Sequence, residues 1–86
     1  MNILENFENY IRNEKRYSQY TQRAYSDDLL QFQFFCTNEL NILDLTLIKT
    51  KDIRLFIVFS LDAGLSENSM NRKLSSLKSF YKYLLK

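Results

Sequence analysis

The chain contains one glycine and no proline among its 86 residues, which limits the folds it can adopt. Sheet proteins with many tight turns need glycine and proline to reverse the chain, so their scarcity favours helices joined by short connections. A chain of this length can bury one hydrophobic core but not two. We therefore predict a single all-α domain over residues 1–86, a compact bundle of four helices.

Apolar residues recur at helical spacing in four segments. The predicted helices cover about residues 2–16, 19–38, 51–63 and 67–85. Ser66 is expected to cap the start of the fourth helix, and Gly64 to end the third. Thr50 is expected to cap the third helix, and either Ser18 or Thr21 the second. These local signals fix the predicted boundaries.

The apolar positions of each helix define the expected core. They are Leu4, Phe7 and Ile11 in the first helix, Thr21, Tyr25, Leu29, Phe32 and Cys36 in the second, Ile53, Phe56 and Ile57 in the third, and Met70, Leu74, Leu77, Tyr81 and Leu84 in the fourth. The connection over residues 39–49 is expected to turn its apolar side chains inward. Asp28 lies within the second stripe, and we interpret it as a structural carboxylate bonded to a neighbouring hydroxyl, amide or arginine.

Positive charge is concentrated in the last predicted helix. Residues 1–65 carry seven Lys/Arg and nine Asp/Glu, whereas residues 66–86 carry five Lys/Arg and one Glu. The face opposite the apolar stripe holds basic, amide and hydroxyl side chains: Asn68, Arg72, Ser75, Ser76, Ser79, Lys82 and Lys86. Such a helix suits the phosphate backbone of a nucleic acid, although an ordinary solvated polar face is the alternative.

Two further surfaces are candidates for binding. The first turns of the second helix expose Gln19, Tyr20, Gln22 and Arg23, a mixture that suits phosphates and base edges, or a polar helix start with nothing bound. Large apolar side chains at Leu30, Phe34, Leu55 and Phe59 are expected to point away from the core. Such a patch indicates a contact with another domain or protomer, so a helical protein-interaction module is the alternative function.

Enzymatic chemistry is not expected of this segment. Without histidine and with one cysteine, Cys36, it has neither a Cys/His metal set nor a histidine base for a nucleophile. One glycine cannot form a glycine-rich phosphate loop. We expect no cofactor, no metal and no small-molecule substrate. No signal peptide or bilayer-spanning run is visible, so we expect a cytoplasmic protein without a membrane partner.

The order of residues resembles a known family. The second predicted helix is similar to the family pattern over Ser18-x-x-Thr21-x-x-x-Tyr25-x-x-Asp28-Leu29-x-x-Phe32, and the third over Asp52-Ile53-x-x-Phe56. The fourth resembles it over Gly64-Leu65-Ser66-x-x-Ser69-x-Asn71-Arg72-x-Leu74-Ser75-x-Leu77-Lys78-Ser79-Phe80-Tyr81-x-Tyr83-Leu84. The family is the core-binding, SAM-like N-terminal domain of tyrosine recombinases, which include the phage integrases and the Xer-type enzymes.

The resemblance implies a domain that sits on one face of double-stranded DNA, while a separate catalytic domain closes a clamp on the other face. The family's second and fourth helices approach the major groove, so the expected DNA-binding residues are Ser18, Gln19, Tyr20, Thr21, Gln22, Arg23, Asn68, Ser69, Asn71, Arg72, Ser75, Ser76, Ser79 and Lys82. Other recombinase protomers on the DNA are expected partners. The cleaving tyrosine and its activating residues belong to the catalytic domain, so we expect this segment to bind without catalysis.

Overall fold

The computed structural model describes residues 3–85, which form four α-helices and one short 3-10 helix. Helix α1 spans Ile3–Asn13, α2 spans Gln19–Glu39, α3 spans Thr50–Asp62 and α4 spans Glu67–Leu84, with the 3-10 helix at Leu45–Leu47. Within this described part of the chain there is no strand. The all-α, four-helix prediction is confirmed. None of these helices combines the length and apolar character needed to cross a bilayer.

Helix α2 is the centre of the bundle and packs against each of the other three helices. Helix α4 runs antiparallel to it. Asp28 in the middle of α2 bonds to Arg72 and Ser76, whereas Tyr25, one turn earlier, shares a pocket with Ser79 and Lys82. Lower numbers on α2 therefore face higher numbers on α4.

Aromatic rings fill much of the single core. Phe7 of α1 meets Phe80 of α4 edge to face at 5.4 Å between ring centres, and Phe32 of α2 meets Phe56 of α3 at 5.1 Å. Each such pair contributes about 0.5–1.5 kcal/mol of stability beyond that of the apolar area it buries. The buried apolar set is Leu4, Phe7, Ile11, Leu29, Phe32, Phe35, Cys36, Leu45, Phe56, Met70, Leu77 and Phe80. The predicted burial of Cys36 is confirmed.

Serine caps begin two of the helices as predicted. The Ser18 hydroxyl oxygen accepts from the Thr21 N–H at 3.1 Å, and the Ser66 hydroxyl oxygen accepts from the Ser69 N–H at 3.2 Å. Each bond satisfies a backbone donor that the first helical turn leaves without a partner. Ser18, rather than Thr21, is the cap of α2.

Gly64 ends α3 as predicted, with a φ of 102°. Its N–H donates to the Leu61 carbonyl at 3.0 Å, and the N–H of Leu65 donates to the Ser60 carbonyl at 3.0 Å. This pair of bonds is the Schellman motif, in which the residue at the turn adopts a positive φ that glycine tolerates best.

Helix α1 is shorter than predicted and ends at Asn13 instead of residue 16. Arg16 adopts a positive φ of 54°, and the N–H of Tyr17 donates to the Ile11 carbonyl at 3.3 Å. The Tyr17 ring then packs edge to face on Tyr25, 5.6 Å between centres, which draws the chain out of the helical path. The predicted first helical residue, Asn2, lies outside the described residues.

The predicted cap of α3 was wrong by one residue. Lys49 is the N-cap, and Thr50 is the first helical residue. The buried carboxylate of Asp52 accepts a hydrogen bond from the Lys49 N–H at 2.8 Å, so Asp52 holds the start of the helix through its side chain. An acid in the first turn also interacts favourably with the helix dipole.

Helix α4 is rotated about its axis relative to the predicted stripe. Its buried residues are Met70, Lys73, Ser76, Leu77 and Phe80. Leu74, Tyr81 and Leu84, which were predicted to face the core, are half-buried at its edge. The rotation places Phe80 against Phe7, and it buries two polar residues, Lys73 and Ser76.

Candidate nucleic-acid interface

The outer face of α4 is the set of exposed polar side chains opposite its buried residues. Beyond the acidic first residue Glu67, it consists of Asn68, Asn71, Arg72, Ser75, Lys78 and Lys82, with half-buried Ser79 among them. Three of these residues are cations and the others are amides or hydroxyls. The predicted polar and basic character of this face is therefore present in the structure, while Lys86 lies outside the described residues.

Ser76 does not belong to the outer face, so the prediction for this residue was wrong. Its side chain is buried, and its hydroxyl donates to Asp28 Oδ2 at 2.8 Å. Ser69 is half-buried, and its hydroxyl oxygen accepts from the Ser66 hydroxyl at 3.0 Å. The rotation of α4 explains both placements, because it turns this edge of the helix toward α2.

Asp28 is the centre of a buried charge cluster. It is 2% exposed, and its Oδ1 accepts from Lys73 Nζ at 2.9 Å and from Arg72 Nη2 at 3.0 Å. Lys73 Nζ also donates to Gln31 Oε1. Within residues 3–85 no buried side-chain nitrogen or oxygen lacks a partner. The structural interpretation of Asp28 is confirmed, with lysine as an unforeseen partner.

The burial of Lys73 changes where the positive charge of α4 lies. The charge excess of residues 66–86 includes this lysine, yet its side chain is 6% exposed and paired with Asp28. It therefore adds little to the field above the outer face. A sequence signal was present, because Lys73 stands three residues after Met70 and four before Leu77, within the apolar stripe.

The predicted residues at the start of α2 do not share one surface. Six consecutive positions at about 100° each surround the helix completely. Thr21 and Gln22 are half-buried and engaged locally, since the Thr21 hydroxyl oxygen accepts from the Ser18 hydroxyl and Gln22 Nε2 donates to the Tyr17 carbonyl at 2.7 Å. The exposed members are Ser18, Gln19, Tyr20 and Arg23.

A shallow polar groove joins this part of α2 to α1. Its volume is about 520 Å³, and it is lined by Gln19, Tyr20 and Arg23 of α2 and by Glu8 and Arg12 of α1, together with Gln22 and Ser26. Arg12 is a further cation beside these predicted residues, and it was not itself predicted to bind. The position of Arg12 in the sequence gives no sign that it lies beside α2, because the two helices meet only in the tertiary structure.

The start of α2 and the end of α4 meet at a small pocket of about 170 Å³. Ser79 and Lys82 line it together with Lys15 and the rings of Tyr17 and Tyr25. Burial, followed by the neighbouring phenol of Tyr25, raises the pKa of Tyr17, so this hydroxyl remains a neutral hydrogen-bonding group at neutral pH. The pocket thus places Ser79 and Lys82 of α4 beside Tyr25, in the second turn of α2.

An apolar groove of about 560 Å³ lies on another part of the surface, between α2 and α3. Leu30, Phe34 and Phe59 line it, and Phe34 is 72% exposed. Leu55 is also exposed but is not among the lining residues. The predicted exposure of these four apolar side chains is confirmed.

Comparison with known proteins gives a consistent result. Residues 4–86 match the family described as phage integrase, N-terminal SAM-like domain. The tyrosine recombinase XerC of Pediococcus pentosaceus is 35% identical over 86 residues, which cover 100% of this chain and 29% of that protein. XerC of Leptospira interrogans is 44% identical over 81 residues, which cover 93% of this chain and 25% of that protein.

A third XerC, from Anoxybacillus flavithermus, is 40% identical over 83 residues, which cover 96% of this chain and 27% of that protein. The chain thus spans less than a third of the length of these relatives. No solved structure matches it significantly. On the match over residues 4–86, the chain belongs to the family of phage integrase N-terminal SAM-like domains.

Proposed function

We propose that this domain binds one face of double-stranded DNA through α2 and α4 during site-specific recombination by a tyrosine recombinase. The observation that carries the proposal is the outer face of α4, where three exposed cations stand among short polar side chains. The family membership and the names of the relatives support the same role.

The residues of the outer face differ in the contacts they can make. Lys78 and Lys82 are exposed, flexible cations, which are suited to phosphate oxygens. Asn71 and Arg72 carry planar hydrogen-bonding groups, which are suited to base edges in the major groove. Ser75 is short, so it lets the helix backbone come close to the duplex. Arg23 of α2 would add a further phosphate contact.

The proposed role is binding rather than cleavage. Tyr81 lies near the end of α4, and its hydroxyl donates to the Leu45 carbonyl at 2.8 Å. Burial, with further contributions from Cys36 and acidic neighbours, raises the pKa of Tyr81. Tyr83 packs on Tyr10 at 4.7 Å between ring centres. A tyrosine nucleophile requires a lowered pKa or an adjacent base, whereas the environment of Tyr81 raises its pKa.

A titration followed by ¹⁵N-HSQC spectra tests the proposal. A random duplex of about 20 base pairs should shift residues 18–23 and 68–82 at about 50 mM salt, and the shifts should weaken strongly near 200 mM. Four to five phosphate contacts would give a log–log salt slope of about −4. Lys82→Ala should weaken binding, whereas Lys51→Ala, an exposed lysine on α3, serves as the control. An absence of shifts at low salt would overturn the proposal.

A second candidate function is contact with another copy of the domain bound to the same DNA, through the apolar groove. The observation that favours it is the exposure of Phe34 and Phe59 along this groove. Phe34→Glu should leave affinity for a duplex with room for one domain unchanged and reduce cooperativity on a longer duplex. Leu43→Glu, at an exposed apolar residue outside the groove, is the control. Cooperativity of Phe34→Glu equal to that of Leu43→Glu would exclude this contact.

A further inference from the structure

The Asp28 carboxylate is a fixed point beneath the outer face of α4. It is held from three sides, because Lys73 and Arg72 donate to Oδ1 and Ser76 donates to Oδ2 at 2.8 Å. All three donors lie on α4, and Asp28 itself lies on α2 with 2% exposure. A carboxylate tied to both helices and removed from water cannot change its position without breaking these bonds.

Arg72 is anchored to this fixed point by one nitrogen while the rest of its side chain faces solvent. Its Nη2 lies 3.0 Å from Asp28 Oδ1, and the side chain is 57% exposed. The anchor restricts the plane of the guanidinium before any partner binds, so less rotamer entropy remains to be lost on binding. The exposed donors of the guanidinium fork are then available to a planar pair of acceptors.

The charges of the cluster distinguish Arg72 from the lysines of the outer face. The single negative charge of Asp28 is shared between Lys73 and Arg72, so it offsets only part of the guanidinium charge and the three residues together keep a net charge of +1. Lys78 and Lys82 form no ion pair within residues 3–85, so their full charge is available to the backbone. What Arg72 retains is directional hydrogen bonding. An arginine with these properties matches the O6 and N7 acceptors of guanine in the major groove.

The neighbours of Arg72 allow such a close approach. Asn68 lies four residues before it, and Ser75 and Ser79 lie three and seven residues after it, so the three side chains stand on the same side of α4. Two of them are serines, and none extends as far as an arginine. The arginine is therefore the longest side chain of this patch.

We infer that Arg72 reads a guanine in the major groove and that Asp28 is the positioning residue that orients its guanidinium for this contact. The inference rests on the proposed DNA binding and assigns sequence readout, as distinct from phosphate contact, to one residue of the interface.

A selection from a random pool of duplexes tests the inference, with wild-type protein and Arg72→Lys compared side by side. Lysine keeps the positive charge but lacks the planar fork. The wild-type protein should enrich a guanine at one position, and Arg72→Lys should reduce that preference by about 5- to 150-fold, with a similar salt slope. Lys82→Ala is the control, since it should weaken binding to all sequences and reduce the magnitude of the salt slope by about 1.

The double variant Asp28→Leu/Lys73→Met tests the positioning role, because it removes both buried charges together and retains Arg72. Its guanine preference should fall toward that of Arg72→Lys, while circular dichroism shows that it remains folded. Ser76→Ala, which removes one anchor of the carboxylate and no charge, should produce a smaller loss in the same direction and serves if the double variant does not fold.

The outcomes separate this inference from the proposed function. Wild-type protein that binds DNA without any guanine preference, or Arg72→Lys that keeps the preference, overturns base reading by Arg72 and leaves DNA binding intact. An unchanged preference in folded Asp28→Leu/Lys73→Met and in Ser76→Ala overturns the positioning role of Asp28. Wild-type protein that binds no duplex at low salt overturns the proposed function itself.

Discussion

Asp28 of α2 and Lys73 of α4 form an ion pair of 2.9 Å, with side chains only 1% and 6% exposed. The two residues are 45 positions apart in the chain. Their attraction in the interior is opposed by the loss of hydration of both charges, so the pair as a whole adds little net stability. Lys73 without Asp28 would be a buried charge with no counter-charge, which is strongly unfavourable, whereas Asp28 without Lys73 would keep its bonds from Arg72 and Ser76.

The two members of this pair should therefore behave non-additively. Asp28→Leu should lower the free energy of unfolding by about 3–5 kcal/mol, because it leaves Lys73 buried without a counter-charge. Lys73→Met should lower it by less, because Asp28 still accepts hydrogen bonds from Arg72 and Ser76. The combined variant should lie within about 1–2 kcal/mol of the wild type. Urea denaturation of the four proteins measures the cycle, and a combined loss equal to the sum of the single losses would contradict it.

Tyr81→Phe should lower the free energy of unfolding by about 1–2 kcal/mol. The tyrosine hydroxyl donates to the Leu45 carbonyl at 2.8 Å, and phenylalanine leaves that carbonyl only the longer bond from the Ile48 N–H at 3.5 Å. Tyr20→Phe is the matched control, since Tyr20 is 82% exposed and should change the free energy by less than about 0.5 kcal/mol. Equal effects of the two substitutions in urea denaturation would show that the bond to Leu45 contributes nothing.

Stability should fall in alkaline solution. Burial, and secondarily the carboxylate of Asp52, raises the pKa of Cys36 from 9.0 to about 11, and burial raises that of Tyr81 as well. Because the unfolded chain releases these protons at lower pH than the folded chain, their contribution is fully present below about pH 8 and is lost as pH rises from about 9 through 11.

Urea denaturation at a series of pH values measures this dependence. Cys36→Ala should be less stable at neutral pH because it leaves a cavity, but its loss of stability between pH 9 and 11 should be shallower. The difference in slope cannot exceed one proton, about 1.36 kcal/mol for each pH unit. Parallel curves for the two proteins would show that the thiol titrates alike in the folded and unfolded states.

Gly64→Ala should cost about 1–2 kcal/mol, measured from thermal unfolding. A Cβ at this position would meet no atom within 4 Å, so the cost comes from the positive φ of 102° and not from a clash. Ala63→Gly is the control. Ala63 has ordinary helical angles, so the stability lost in this variant reflects only the greater flexibility of glycine. A cost far above this range would mean that a side chain at residue 64 does disturb its surroundings.

Features that depend on nearby residues could be predicted from the sequence. The caps at Ser18 and Ser66 and the helix end at Gly64 involve partners within five positions, and all three are found in the structure. The end of α1 was mispredicted because Glu14, Lys15 and Arg16 are all compatible with a helix. The break depends on the packing of Tyr17 on Tyr25, which no local pattern reveals.

The candidate site was predictable where the side chain is polar and its helix is amphipathic. Asn68 and Arg72 were placed correctly on the outer face of α4. Ser76 was not, because a polar residue is assigned to solvent unless its distant partner is known, and Asp28 is 48 positions away. Asp28 itself was recognised as needing a partner. The position of Lys73 inside the apolar stripe of α4 was the sequence feature that indicated a buried cation as the partner of Asp28.

The bonds from two successive turns of α4 to Asp28 also determine how the two helices can move. A slide of α4 by one turn, about 5.4 Å, would place an apolar side chain such as Leu77 or Phe80 against the carboxylate and leave Lys73 in hydrocarbon. A slide by one turn in either direction would break the bonds from Lys73 to Asp28 and Gln31, and the observed register satisfies these buried groups. In the proposed complex, a surface built on α2 and α4 would adapt to the curvature of a duplex by tilting of the whole domain, since a slide of the two helices past one another would break these buried bonds.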